Sequence, residues 1–179
     1  MAGGDLSLLA YTALVAAVGA ERLVEQGVAR RHERWLAARG GRPVGDGHYP
    51  VMVALHALFL VACLAEPWLL GRPFVPALGW PMLALVGLAM ALRWWAVRSL
   101  GGRWTTRIWV LPGAPRVAGG PYRFAAHPNY LAVAVELFAL PLVHTAWLTA
   151  AVFGSANLVL LGHRIRVEEA ALAAAEAGG

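Results

Sequence analysis

Apolar residues run through this chain in long blocks, separated by arginine-rich segments. Leu6 to Ala20 carries no charge and extends to Val24 past Glu21 and Arg22. Val51 to Leu70 carries one charge, Glu66, and Phe74 to Leu92 carries none. A membrane-spanning helix needs about 20 mainly apolar residues to cross about 30 Å of hydrocarbon. All three blocks meet that length, and Pro76 and Pro81 place the start of the third helix near Pro81. The run from Leu131 to Leu161 contains one charge, Glu136. As one helix it would be about 46 Å long, too long for a bilayer. Pro141, His144 and Thr145 break it into a helix–turn–helix of roughly 129–143 and 146–163. Each arm is short of a full span unless its polar flanks enter the interface. The pattern predicts an all-α, polytopic membrane helix bundle of about five transmembrane segments in a single domain, 1–179. The first run reads as a span and not as a cleaved signal: no basic segment precedes it, and no small-residue cleavage site follows.

Two connecting segments are long enough to carry a site. The segment 26–49 predicts a polar helix, Gln26 to Arg39, and then a glycine-rich turn from Gly40 to Gly47. The segment 99–128 is broken by glycines and prolines. Its Ile108-Trp109-Val110 run predicts a short extended piece before a Pro112-Gly113 turn. Pro128 suits the first turn of the helix that follows, where a missing N–H costs nothing.

Composition excludes most soluble readings. The chain is 59% hydrophobic and 14% charged, with mean hydropathy +0.59, whereas soluble domains carry about 25% charged residues. There is too little polar surface for a soluble enzyme, a disordered tail or a secreted disulfide scaffold. A single cysteine, Cys63, excludes internal disulfides and thiolate clusters. No metal-ligand spacing, P-loop, GxSxG or strand-borne GxGxxG is present. The net charge of +5 and pI of 10.3 raise the question of nucleic acid. The placement of the charge answers it. All 15 basic residues are arginine. In an alternating five-span arrangement 14 of them fall on one side and Arg72 on the other. By the positive-inside rule the N-terminus is outside and the C-terminus cytoplasmic, and no nucleic-acid partner is needed. Trp68, Trp80 and Trp147 then lie near the outer interface, and Trp94, Trp95, Trp104 and Trp109 near the inner one.

Polar groups in membrane segments are costly, so each is a candidate. His127 and Tyr130, three residues apart, share a face where the fourth helix begins. Glu136 lies one to two turns deeper, and Asn157 is midway along the fifth. The fifth helix ends in His163-Arg164-Ile165-Arg166-Val167-Glu168-Glu169, where Arg164 with Glu168 and Arg166 with Glu169 have pairing distance. Taken singly, each has a plain structural use: a surface ion pair, a helix-start histidine, a bundle hydrogen bond for Glu136 or His56, an outer-interface position for Glu66. A hairpin, however, brings His127, Tyr130, Arg164, Glu168 and Glu169 together at the inner surface. That set suits a polar, charged ligand.

His127-Pro128-Asn129-Tyr130, a hydrophobic hairpin and then Arg164-x-Arg166-x-Glu168-Glu169 resembles the isoprenylcysteine carboxyl methyltransferase family, preceded as there by Gly120-Pro121-Tyr122-Arg123. Ala29 to Trp35, His48 to His56 and Leu100 to Arg107 resemble a bacterial branch of it, whose members often accompany type III polyketide synthases. The resemblance implies S-adenosylmethionine as cofactor in a portion of about 99–172, with no metal. It places His127, Pro128, Asn129, Tyr130, Glu168, Glu169, Arg166 and Tyr122 around the cofactor and gives Glu168 and Arg164 the catalytic roles. Glu136, Trp104, Arg107 and His56 are candidates for the acceptor side. The acceptor is implied to be lipid-like and to enter from the bilayer of a bacterial plasma membrane. Either an alkylpyrone- or alkylresorcinol-type hydroxyl or a prenylcysteine-like carboxylate suits. Two departures stand out. The family's arginine before His-Pro is Ala126 here, with Arg123 the nearest substitute, and the aromatic-rich tail of many relatives is replaced by Ala-Ala-Ala-Glu-Ala-Gly-Gly. Two other readings stay open: an NADPH-dependent sterol-reductase-like enzyme, which shares the His-Pro-Asn-Tyr element, and a non-enzymatic membrane scaffold.

Overall fold

The computed structural model describes residues 2–177. Five α-helices follow one another: α1 (Ala2–Ala37), α2 (Tyr49–Leu70), α3 (Pro76–Leu100), α4 (Pro128–Leu142) and α5 (Trp147–Ala177). Among the described residues α1, α2, α3 and α5 are long and apolar enough to cross a membrane, and α4 is a shorter apolar helix. The protein is an all-α integral membrane bundle. Its outer faces carry Leu23, Leu58, Val61, Leu69, Leu88 and Val159, all exposed, as surfaces that meet lipid tails and not water. Its interior is built on Tyr11, Val15, Val18, Phe59, Cys63, Val86, Leu137 and Leu140.

Four elements differ from the sequence expectation. The fifth helix runs on through the alanine-rich tail to Ala177, past the expected arm of 146–163, as alanine's helix propensity favours. The first span and the polar helix after it are one helix of 36 residues. Glu21, Arg22 and Glu25 do not break it, because α3 and α4 supply their partners. Arg22 reaches Glu25 at 2.6 Å and Glu136 at 3.4 Å, and Arg93 reaches Glu136 at 2.6 Å and Glu25 at 3.6 Å. The Trp94 indole closes the cluster by donating to Glu21. The third helix starts at Pro76, not near Pro81. Pro76 occupies the first turn, and Val75 already accepts from the amides of Leu78 and Gly79 at 2.9 and 2.7 Å. The start is kept tight by Gly79, where a Cβ would collide with the Phe74 ring. Finally, Arg42–Val44 (β1), inside the expected glycine-rich turn, pairs antiparallel with Ile108–Val110 (β2), the extended piece. This ribbon ties the two long connecting segments together at one end of the bundle.

The α4–α5 hairpin turns at Val143–Ala146. Thr145 takes φ 53° there, and its hydroxyl donates to the Pro73 carbonyl at 2.7 Å. Glu66, near the end of α2 beside the α4–α5 turn, is buried and accepts from the amides of Leu148 and Thr149 at 3.2 and 2.7 Å. A carboxylate on the first amides of α5 satisfies orphan donors and favours the helix dipole. Arg72 pairs with the same carboxylate at 2.9 Å. Farther along, α4 and α5 approach closely because Gly154 leaves room for the Phe138 ring.

Candidate active site

The hairpin brings the start of α4 beside the C-terminal part of α5. His127 precedes α4, and its carbonyl accepts from the amides of Tyr130 and Leu131. Pro128 sits in the first turn and is fully buried. With no capping bond to make, the His127 ring stacks on Tyr130, centroids 5.2 Å apart. His127 Nε2 lies 2.9 Å from Glu169, and Nδ1 lies 3.9 Å from Glu168. The Tyr130 hydroxyl donates to Glu168 and accepts from Arg164 Nε at 2.7 Å. Arg164 is buried, and its other nitrogens donate to the Thr106 carbonyl at 2.6 Å and to the Met52 sulfur at 3.0 Å.

These groups line an open cavity of about 780 Å³ at the ribbon end of the bundle, within the range of small-molecule sites. One wall is polar: His127, Asn129, Tyr130, Arg164, Glu168 and Glu169. The opposite wall is apolar and aromatic, with Leu36, Leu100, Trp104, Ile108, Trp109 and Val110. The loop from Leu111 to Ala118 closes the side. It is held by Arg103, which donates to the Pro115 carbonyl at 2.6 Å, and by Arg116, which pairs with Glu169 at 2.9 Å. Tyr122 also lines the cavity, and burial, with the Glu168 charge adding to it, pushes its phenol above the ordinary value. It is therefore a neutral O–H donor across the usual pH range.

The sequence candidates divide by position. His127, Asn129, Tyr130, Arg164, Glu168, Glu169, Tyr122, Trp104 and Arg107 line this one cavity. Pro128 sits behind its wall. Arg166 is exposed and donates to the Gly162 carbonyl of its own helix at 3.1 Å. Glu136 is inside the bundle, bound to Arg93 and Arg22. His56 donates from Nδ1 to the Met52 carbonyl at 2.8 Å and also lies away from the cavity. Asn157 is buried, and its side-chain polar atoms have no partner. The spaced pairs on α5 are not the contacts made: Arg164 turns to Tyr130, and Glu169 binds His127 and Arg116. Ala126 lines the cavity, and Arg123 does not fill the missing guanidinium's place, being stacked over Phe124 at 4.3 Å. Arg116 was outside the sequence candidates. No spacing marks it, because it reaches α5 from a loop far away in sequence.

The sequence profile described as the isoprenylcysteine carboxyl methyltransferase (ICMT) family matches residues 82–174, which span α3 to α5 and the whole polar wall. The chain belongs to the ICMT family. Two relatives are described as uncharacterized proteins. An uncharacterized protein of Bacillus subtilis (strain 168), YpbQ, is 38% identical over 160 residues, covering 89% of this chain and 94% of that one. An uncharacterized protein of Haemophilus influenzae is 29% identical over 160 residues, covering 88% and 91%. No solved structure matches significantly. Within the ICMT family signature, the structure turns a linear motif into a spatial one. The His-Pro-x-Tyr half supplies a stacked pair of rings, and the Glu-Glu half supplies one carboxylate to each ring.

The donor set of the cavity suits a cationic ligand that carries hydroxyls and an aromatic ring. Two adjacent carboxylates suit an ammonium and hydroxyls, and the aromatic faces suit a flat ring. Trp109 Nε1 and Asn129 Oδ1, on cavity-lining residues, are buried without partners. Buried polar atoms left unpaired are rare, and these two suit hydrogen bonds to a ligand.

Proposed function

We propose that this protein transfers a methyl group from S-adenosylmethionine to an oxygen of a lipid-like acceptor, at the cytoplasmic face of a bacterial plasma membrane. The observation that carries the reading is the meeting of His127, Tyr130, Arg164, Glu168 and Glu169 in one cavity of an ICMT-family bundle. The cofactor supplies an electrophilic methyl on a sulfonium, so the protein's task is mainly to bind and align donor and acceptor. Glu168 and Glu169 offer negative charge to the cofactor's ammonium and hydroxyls. Arg164 fixes the Tyr130 hydroxyl, and Tyr130 fixes Glu168, so that carboxylate is oriented before any ligand arrives. His127 does the same for Glu169.

His127 is already engaged with Glu169, and the Tyr122 phenol stays protonated. The site therefore favours an acceptor that ionises without a strong base: a carboxylate or an acidic enol or phenol. Arg107 and Arg103 on the cavity wall suit the resulting anion. An alkylpyrone- or alkylresorcinol-type hydroxyl, made by a type III polyketide synthase, and a prenylcysteine-like carboxylate both meet that description. The apolar wall and the surrounding bilayer suit the lipid chain.

The test is transfer of label. Membranes holding the protein are given S-adenosylmethionine with a tritiated methyl group, and lipids are extracted. Label in the organic phase that disappears in Glu168→Gln supports the reading. Equal label with and without the protein, across both acceptor classes, rejects it.

A further inference from the structure

Arg164 sits at the head of the chain that orients Glu168, and what holds Arg164 comes from outside the His-Pro-x-Tyr and Glu-Glu motifs. Its Nη2 donates to the Thr106 carbonyl at 2.6 Å. Thr106 is itself anchored: its hydroxyl lies 3.3 Å from the hydroxyl of Tyr49, the first residue of α2. The Tyr49 hydroxyl donates to Gln26 Oε1 on α1 at 3.1 Å. A phenol has one proton to give. With that proton on Gln26, the Thr106 hydroxyl donates to Tyr49. The bonds then link the helices α1 and α2, through the loop, to the polar wall, with Arg164 donating both to the loop and to Tyr130.

We propose that Tyr49, acting through Thr106, is a positioning residue for the cofactor site. This rests on the methyltransferase reading above. Tyr49 pins the loop at Thr106, the Thr106 carbonyl fixes the Arg164 guanidinium, Arg164 holds the Tyr130 hydroxyl, and Tyr130 holds Glu168. Arg164 is buried, so it cannot turn to water when Thr106 shifts and must follow the carbonyl. The aromatic ring of Tyr49 has a separate use: the Arg107 guanidinium lies over it at 4.5 Å. Tyr49→Phe therefore removes the hydroxyl bonds and keeps the platform under Arg107.

The test is the binding of S-adenosylhomocysteine to the full-length protein in lipid nanodiscs, well below its unfolding temperature. Tyr49→Phe and Thr106→Val each raise the Kd roughly 3- to 10-fold, the size of one hydrogen bond lost. Because the two changes break the same contact, the double variant is no weaker than the weaker single one. In a Glu168→Gln background Tyr49→Phe adds nothing further, since the carboxylate it orients has lost its charge. A merely structural role for Tyr49 gives a different pattern: a lowered unfolding temperature with an unchanged Kd, or effects that add to those of Glu168→Gln. Either result overturns the proposal while wild type binds. Should folded wild type fail to bind S-adenosylhomocysteine, the methyltransferase reading falls and takes this proposal with it.

Discussion

The rings of His127 and Tyr130 lie face to face, their planes 12° from parallel and their centroids 5.2 Å apart. Their three-residue spacing at the start of α4 puts them on one face. Each ring then takes a different member of the Glu168-Glu169 pair on α5. Two neighbouring carboxylates thereby acquire separate surroundings: Glu168 beside a phenol, Glu169 beside an imidazole and the Arg116 guanidinium.

That separation predicts unequal consequences of neutralisation. Glu168→Gln raises the Kd for S-adenosylhomocysteine roughly 10- to 100-fold, the range for losing a hydrogen bond to a charged group. Glu169→Gln costs less, because two basic partners already share the charge of Glu169. Isothermal calorimetry on both variants checks the order.

The two arginines of the α5 motif also separate. Arg166 is exposed and bonds only to its own helix, so Arg166→Ala leaves the Kd within about twofold, as for an ordinary surface change. Arg164→Ala removes the anchor of Tyr130 and weakens binding by at least the margin of Tyr49→Phe. Equal effects at the two positions contradict the assignment of Arg164 to the cavity wall.

Glu136 belongs to stability in this account. It is buried against Arg93 and Arg22 between α1, α3 and α4. Removing one partner of a buried ion pair costs about 3–5 kcal/mol, because it strands the other charge. Arg93→Met lowers the unfolding temperature in nanodiscs more than the double change Arg93→Met with Glu136→Leu does. In protein that remains folded, Glu136→Gln leaves the Kd for S-adenosylhomocysteine unchanged.

Orientation is tested separately. From the arginine distribution we propose that the N-terminus is outside and the C-terminus in the cytoplasm. Reporter fusions active only in one compartment, placed at each terminus, give opposite signals on this reading. Equal signals from the two ends contradict it.

The fold was legible where hydrophobic blocks were long. Val51 to Leu70 and the hairpin break at His144-Thr145 needed only length and a turn. The fusion of α1 was half legible: the apolar run passed Glu21 and Arg22 and a polar helix followed from Gln26, but nothing in the sequence showed that Arg93 and Glu136 hold the charged junction. The start of α3 was misplaced because Pro81 looks like a helix start, whereas Pro76 already serves as one. At the site, His127, Tyr130, Glu168 and Glu169 were visible as local motifs on helices that a hairpin must align. Thr106, Tyr49 and Arg116 were not. Their roles come from single contacts between loops and helices distant in sequence, and neither spacing nor residue type announces them.

The central claim is that the His127–Glu169 wall binds S-adenosylmethionine. Its most direct test is calorimetric binding of S-adenosylhomocysteine, with NADPH in parallel, to the purified protein in nanodiscs. Binding of S-adenosylhomocysteine is expected, weakened in His127→Ala and weakened about 10- to 100-fold in Glu168→Gln, with no binding of NADPH. Binding of NADPH alone, or of neither by folded protein, would contradict it, pointing in the first case to a reductase and in the second to a scaffold.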